Sequence, residues 1–199
     1  MMEYRGYNVI EKDDRVLVEN VRDFDPVHIF ECGQCFRWIK QGDGSYTGVA
    51  LDKVVNIAYD NGTLQITNAT IDDFINTWFE YFDLGRDYSC IKQQLAKDEI
   101  MKKAIEFGHG IRILKQDIWE TLISFIISAN NRIPMIMKVV DAISKMYGKE
   151  IIFDKKKYYT FPDVDKLAGS SVEELEVCKG GFRCKYIVGT SVLVREKVV

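Results

Sequence analysis

The 199-residue sequence has few residues that interrupt regular structure, and it has no long apolar run. Proline occurs three times and histidine twice. The most apolar stretch, residues 118–129, is interrupted by Glu120, Thr121 and Ser124. It therefore falls short of the roughly 20 apolar residues that a membrane-spanning helix needs. The first five residues contain no apolar core of a secretory signal. We therefore expect a cytoplasmic protein with no membrane partner.

A surplus of positive charge is also missing. Lysine and arginine number 27 against 30 aspartates and glutamates, which gives a net charge of −3. This balance argues against a strongly basic nucleic-acid-binding domain. Basic residues do cluster locally, at 155–157 and at Lys179, Arg183 and Lys185. Each cluster is compatible with an ordinary solvated face or with a phosphate-binding site.

The five cysteines, an odd number, do not form a complete disulfide framework. Without a secretory signal we expect free thiols. The spacing of Cys32 and Cys35 allows a redox or zinc site as a remote alternative. A structural zinc site needs four ligands, however, and Cys178 and Cys184 lack the short spacing of a second pair. We expect no metal and no cofactor.

The first 70 or so residues are rich in strand patterns. Asp60-Asn61-Gly62 suits a tight turn between two strands, because Asn and Gly tolerate positive φ angles. Short connections of this kind predict an antiparallel sheet. The predicted strands cover residues 15–19, 35–41, 45–50, 54–59 and 63–67.

From Thr70 onward the apolar period becomes helical. Thr70 with Asp73, and Asp117 with Glu120, have the spacing of N-terminal capping pairs. Pro134 suits the first turn of a helix that ends near Gly148. The helix beginning after Asp117 has little polar face, which predicts a central place in a core. The fold class is therefore α+β, with a sheet domain at 1–116 and a helical domain at 117–199.

Three stretches resemble, in order and approximate spacing, the 8-oxoguanine DNA glycosylase family of the helix-hairpin-helix superfamily. They are Phe-Glu-Cys-Gly-Gln-Cys-Phe-Arg-Trp at 30–38, the segment 111–131 with Ile-Arg-Ile-Leu-Lys-Gln-Asp and Ser-Ala-Asn-Asn, and Gly-Gly-Phe-Arg-Cys-Lys-Tyr at 180–186. The resemblance implies a twisted antiparallel sheet domain packed on a helical domain. It also implies base-excision repair, with 8-oxoguanine-containing double-stranded DNA as partner of a monomer that would associate with the nucleoid in a prokaryote.

The resemblance assigns lesion recognition to Gly33, through its main-chain carbonyl. Guanine N7 is an acceptor, whereas the oxidised base carries a hydrogen there, so a nearby carbonyl separates the two bases. Glycine permits the close approach of the backbone to a flipped base. Taken without the resemblance, a turn or bulge glycine is the favoured interpretation of Gly33. Cys32 and Cys35 then become small packing residues.

The resemblance also implies four residues that contact the opened duplex. Asn130 and Arg183 match residues that contact the orphan base, and Phe182 matches an aromatic wedge that is usually tyrosine. A helix C-cap, a structural ion pair and a core phenylalanine are their respective structural alternatives. Where the family places a second cytosine-reading arginine, this sequence has Met135. We therefore expect loose reading of the base opposite the lesion.

Catalytic residues are expected to be missing from these 199 residues. The family's nucleophilic lysine lies in a Leu-Pro-Gly-Val-Gly-x-Lys hairpin, with an aspartate downstream, and both belong after the region that matches Phe182. Neither Lys179 nor Lys185 lies in such a hairpin. The bifunctional glycosylase and AP-lyase activity is therefore expected of a complete protein and not of this chain alone. An alkylated-base glycosylase of the same superfamily and a non-catalytic DNA-binding module are the alternatives.

Overall fold

The computed structural model describes residues 1–198, and the chain forms two compact units. Unit 1 comprises Met1–Gly48 and Val55–Lys115, and unit 2 comprises Val49–Val54 and the chain from Gln116 onward. The domain boundary after residue 116 stays a prediction, because compactness does not show independent folding. Residue 199, the predicted end of the helical domain, lies outside the described residues.

A seven-stranded sheet has the strand order β1-β2-β3-β7-β6-β5-β4. The neighbouring pairs β1–β2, β2–β3, β3–β7, β7–β6 and β5–β4 are antiparallel. An antiparallel sheet is thus confirmed, although β1 and β2 were not predicted, because their polar residues hide the alternation. The strands are β1 Met2–Tyr4, β2 Tyr7–Lys12, β3 Arg15–Glu19, β4 Trp38–Lys40, β5 Tyr46–Ala50, β6 Lys53–Asp60 and β7 Thr63–Thr67.

The turn between β6 and β7 has the predicted form. Asp60 pairs with Thr63, and the two residues between them have φ angles of 46° at Asn61 and 83° at Gly62. Two successive positive φ angles twist the hairpin in the same sense as its strands.

In unit 1, α1 lies between β3 and β4, and the other helices follow the last strand of the sheet. The predicted capping box is present, with Thr70 and Asp73 exchanging side-chain and main-chain hydrogen bonds. A π-helical segment at Phe74–Trp78, which was not predicted, directs Phe74, Trp78 and Phe79 into the core. The helices are α1 Pro26–Phe30, α2 Ile71–Asp73, α3 Phe79–Tyr81, α4 Tyr88–Leu95 and α5 Glu99–Phe107.

Unit 2 is mainly helical. Asp117 and Ser171 cap α6 and α9 as their sequence positions suggest, and Pro134 lies in the first turn of α7. The lysines at 155–157 belong to a β-hairpin that was not predicted. The elements are α6 Ile118–Ser128, α7 Ile133–Tyr147, β8 Glu150–Phe153, β9 Lys156–Tyr159, α8 Val164–Ala168, α9 Val172–Glu176 and α10 Cys184–Arg195.

The prediction that α6 lies at the centre of a core is wrong for one of its faces. Ile123 and Ile127 are fully buried, but Ile118 is 84% exposed and Phe125 is 75% exposed. An apolar pattern all round a helix does not by itself select which face meets neighbours. No helix among residues 1–198 has the length and apolar character to cross a membrane.

Candidate nucleic-acid interface

The loop that carries Gly33 follows the short helix α1. Asp25 caps this helix by accepting hydrogen bonds from the amides of Val27 and His28. Gly33 has a φ of +87°, a region that side chains with a Cβ rarely enter. The conformation therefore supplies a physical reason for glycine at this position.

Gln34 fastens the loop to a distant segment of unit 1. Its side-chain Nε2 donates to the carbonyls of Ile29 and Arg112, each at 2.9 Å. Its Oε1 accepts from the amide of Leu114, also at 2.9 Å. One amide side chain thus satisfies three main-chain groups. Because Gln34 adjoins Gly33, this bonding limits the movement of the Gly33 carbonyl.

Arg112 extends this network inward and is only 2% exposed. Its Nε, Nη1 and Nη2 donate to the carbonyls of Asp23, Asp83 and Arg22 at 2.8–2.9 Å. Burial is the main cause that lowers the pKa of its guanidinium. The sequence hypothesis gave no role to Gln34 or Arg112. The local sequence gave no signal for this burial, because a charged residue between two isoleucines usually points to solvent.

Aromatic rings form a second support for this loop. Phe30 stacks on Trp38 with ring centroids 4.3 Å apart, and the Trp38 indole donates to the Tyr81 hydroxyl at 3.0 Å. The Tyr46 hydroxyl donates to the carboxylate of Glu31. Burial, with help from this carboxylate, raises the pKa of Tyr46. The residues on both sides of the Gly33 loop are therefore held by a largely buried cluster of aromatic side chains.

Cys32 and Cys35 differ in burial. The Cys32 thiol lies 3.4 Å from the Ile29 carbonyl, and the Cys35 thiol lies 3.9 Å from that of Phe30. Cys35 is buried, as expected of a packing residue, whereas Cys32 is exposed, and neither forms a disulfide.

In unit 2, Asn130 lies directly after the end of α6. The helix cap is Ala129, and Asn130 follows it with a φ of +49°. Asparagine tolerates this left-handed conformation better than most residues, so the structural alternative for Asn130 is present. Its side-chain amide is exposed and makes no hydrogen bond within residues 1–198. The amide is thus available to a ligand, and its contact with a base stays a prediction.

The side chain of Arg183 contacts this turn, although Arg183 lies 54 residues after Ala129 in the sequence. Its Nε and Nη2 donate to the Ala129 carbonyl at 2.9 and 2.6 Å, and Nη2 also reaches the Asn130 carbonyl at 2.8 Å. Nη1 donates to Gly180 at 3.3 Å. Most of its five N–H donors are therefore engaged by the main chain. The observed role of Arg183 is to clamp the Asn130 turn, and its contact with a base stays a prediction.

Phe182 protrudes beside this clamp. It is 55% exposed, as the surface-loop hypothesis requires, and the Arg183 guanidinium carbon lies 4.5 Å from its ring centroid. Met135 is also exposed and borders an open cleft of about 350 Å³ with Asn130, Asn131 and Arg132. Four of the five predicted site residues thus occur in unit 2, and Asn130, Phe182 and Arg183 are joined by direct contacts.

Comparison with known proteins places the chain first in a class and then in a family. A 3-methyladenine DNA glycosylase from Archaeoglobus fulgidus shares the fold, with a TM-score of 0.67 at 15% identity over 88% of this chain and 66% of its own. The structure of MBOgg1 with a low-affinity DNA ligand is far more similar. Its TM-score is 0.95 at 50% identity, over 97% of this chain and 67% of its own. The architecture is that of DNA glycosylases.

The chain belongs to the 8-oxoguanine DNA glycosylase family. The family model for the N-terminal domain of these enzymes matches residues 16–122. An N-glycosylase/DNA lyase from Arabidopsis thaliana is 31% identical over 81% of this chain, and one from Saccharomyces cerevisiae is 41% identical over 41%. The chain spans 46% and 22% of the lengths of these two relatives.

Proposed function

We propose that this chain reads 8-oxoguanine in duplex DNA and holds the duplex open, as part of a base-excision repair enzyme. The observation that carries the proposal is the convergence of Asn130, Phe182 and Arg183 on one exposed turn of unit 2. An exposed aromatic ring beside an unpaired amide suits an opened base pair, where stacking and hydrogen-bonding groups are both uncovered.

Gly33 supplies the lesion-reading group in this proposal. Its carbonyl would accept the N7 hydrogen of 8-oxoguanine, which guanine lacks. The hydrogen bonds of Gln34 keep the adjoining backbone in place. The loop could therefore not shift to accommodate an undamaged guanine that is flipped out of the duplex. Discrimination would arise from a lone-pair clash with guanine as well as from attraction to the lesion.

Phe182 would insert into the duplex beside the position vacated by the extruded nucleotide and offset part of the unstacking energy. Asn130 would meet the exposed edge of the unpaired base with its donor and acceptor. Arg183 fixes the turn that presents Asn130. Solved relatives support a DNA partner. A Clostridium acetobutylicum 8-oxoguanine glycosylase/lyase, 47% identical, was solved with double-stranded DNA containing cytosine opposite 8-oxoG.

The proposal is tested by equilibrium binding of the chain to three matched duplexes, containing 8-oxoguanine, guanine or 3-methyladenine at one position. Tighter binding to the 8-oxoguanine duplex supports lesion reading. Preference for the methylated base would favour the alkylated-base alternative. Equal affinity for all three, falling steeply with salt, would identify a non-catalytic DNA-binding module.

Chemistry is proposed to require groups outside these 199 residues, which contain no Gly-x-Gly-x-Lys hairpin. An amine nucleophile is needed because it displaces the base and then permits strand cleavage through a Schiff base. We expect no covalent adduct when the 199-residue polypeptide and an 8-oxoguanine duplex are treated with borohydride. A trapped adduct would overturn this part of the proposal and direct attention to Lys179 and Lys185.

Met135 is proposed to loosen the reading of the opposite base. A thioether cannot donate hydrogen bonds to a base edge, and a good bidentate contact is worth about 1–3 kcal/mol of discrimination. In the complete enzyme, excision rates of 8-oxoguanine opposite the four bases should therefore differ little. Met135→Arg should raise the preference for cytosine about 5-fold or more. A strong cytosine preference in the unmodified enzyme would contradict this expectation.

A further inference from the structure

The two histidines of the sequence lie side by side in unit 1, next to a carboxylate. The rings of His28 and His109 have centroids 4.8 Å apart and are nearly perpendicular, at 86°. The Oδ2 atom of Asp25 lies 3.7 Å from His28 Nδ1 and 3.9 Å from His109 Nε2. One ligand-type atom from each of the three residues lies within 4.8 Å of the others.

We propose that Asp25, His28 and His109 bind a divalent metal ion of intermediate softness, Zn²⁺ or a similar ion. Imidazole nitrogen and carboxylate oxygen are established zinc ligands, with bonds of about 2.0–2.1 Å. In a tetrahedral site such bonds place neighbouring ligand atoms about 3.3 Å apart. The two distances from Asp25 Oδ2 therefore need to contract by about half an ångström, and the two imidazole nitrogens, up to 4.8 Å apart, need to approach by up to about 1.5 Å. The fourth position would be open to water.

The backbone around the cluster positions Asp25 and contacts His28. The Asp25 amide donates to the Gly110 carbonyl at 3.0 Å, and the Gly110 amide donates to His28 Nδ1 at 3.2 Å. A side chain at Gly110 would place its Cβ 2.2 Å from the Asp25 Cβ, so this approach requires glycine. In accepting from Gly110, Nδ1 of His28 uses the same lone pair that a metal ion needs. A bound ion would replace this hydrogen bond.

The two carboxylate oxygens of Asp25 have different partners. Oδ1 accepts from the Val27 amide at 2.8 Å and caps α1, whereas Oδ2 faces both imidazoles. The nearby cation Lys92 pairs with Asp23, so its charge is already offset. It also donates to the His109 carbonyl at 2.8 Å and thereby fixes the backbone of that ligand.

The cluster is open to solvent. The side chain of His109 is 63% exposed, which leaves a path for an ion. The ring of Phe107 lies on the other side of His28, with centroids 6.2 Å apart, and is itself 83% exposed. An ion here would link the start of α1 to the segment around Gly110. The proposal does not depend on DNA binding and stands or fails separately from the proposed function.

The test is a titration of the chain with ZnCl₂, followed by calorimetry and by NMR of the imidazole groups. We expect one ion per chain and shifts in the signals of both histidines. His109→Gln, at an exposed position, should weaken binding at least about 100-fold, since even the loss of a supporting residue costs 10–100-fold. Asp25→Asn should also weaken binding while α1 stays capped, because Asn caps helices as well as Asp.

Exposed thiols are the competing zinc ligands, so the matched control is the double variant Cys32→Ser/Cys90→Ser. It should bind Zn²⁺ as the unmodified chain does. Zinc should raise the melting temperature of the chain and of this control but not of His109→Gln, because an ion that binds only the folded state stabilises it by mass action. Absence of binding, unchanged affinity in His109→Gln, or loss of binding in the cysteine variant would each overturn the proposal.

Discussion

The two units use their aromatic residues in opposite ways. Unit 1 buries a continuous set of rings, including Phe24, Phe30, Trp38, Tyr46, Phe74, Trp78, Phe79, Tyr81, Phe82 and Tyr88. Within 49–54 and 116–198, the described part of unit 2, no aromatic side chain is fully buried, and Phe125 and Phe182 are more than half exposed. Burying such a ring would stabilise the fold by about 1.5–3 kcal/mol. Rings left outside are therefore candidates for interaction.

The two units also differ in how deeply they bury the polar side chains that hold their site segments in place. Around Gly33, unit 1 uses the buried guanidinium of Arg112 and the amide of Gln34 to satisfy main-chain groups. Around Asn130, unit 2 uses a single partly exposed arginine, Arg183. Substitutions in the first region should thus cost stability, whereas substitutions in the second should cost binding with little loss of stability. Four experiments test this contrast.

Arg112→Met should have the largest effect. It removes a buried guanidinium and leaves the carbonyls of Arg22, Asp23 and Asp83 without their donor. Such a loss costs about 3 kcal/mol or more of the free energy of unfolding. Urea denaturation measures it. A loss below about 1 kcal/mol would show that water replaces the guanidinium and that unit 1 is less rigid than its contacts imply.

Gly48→Ala should be the next most damaging change. The added Cβ would lie 2.3 Å from Cδ2 of Trp38, so the indole or the strand must move. Overpacking of this kind costs about 1–3 kcal/mol. The matched control is Gly42→Ala, since a Cβ at Gly42 meets nothing within 4 Å. Equal melting temperatures for the two variants would contradict tight packing beneath Trp38.

Asp23 gives a smaller, pH-dependent effect. Burial opposes its ionisation, but hydrogen bonds from Lys92 and Ser89 outweigh it and lower the pKa of the carboxyl below its usual value. The folded state is therefore favoured above the unfolded pKa, and this contribution is lost as the pH falls through the folded pKa.

The stability difference between the unmodified chain and Asp23→Asn should accordingly be present near neutral pH and shrink as the pH falls below the ordinary carboxyl pKa of about 3.9. Its size should not exceed about 1 kcal/mol, because the pair is partly exposed to solvent. Chemical denaturation at a series of pH values measures it. A stability difference that grows as the pH falls would contradict the prediction.

Phe182→Ala should change stability least, by no more than about 0.5 kcal/mol, since the ring is already exposed. If the proposed function holds, it should nevertheless abolish the opening of a bound duplex, reported by a fluorescent base analogue beside the lesion. Phe125→Ala removes another exposed ring of the same unit and serves as the control. Equal signals from the two variants would remove Phe182 from the proposed site.

Several local features could be predicted from the sequence because neighbouring residues determine them. Strand β7 has the predicted bounds, and the turn at Asn61-Gly62 has the required positive φ angles. The Thr70–Asp73 capping box and the place of Pro134 also follow from short-range stereochemistry. The family motifs are equally local, so the family, now confirmed, could be inferred before any coordinates.

Contacts between distant segments were decided by the tertiary structure. No pattern in the sequence brings Gln34 to Arg112, Arg183 to the Asn130 turn or His109 to His28. The same holds for α6, whose apolar residues surround the helix, so that only its packing partners determine that Ile127 is buried and Ile118 exposed. Hydrogen bonding within a few residues fixes turns and caps, whereas a site depends on side chains that the chain unites only once its core has formed.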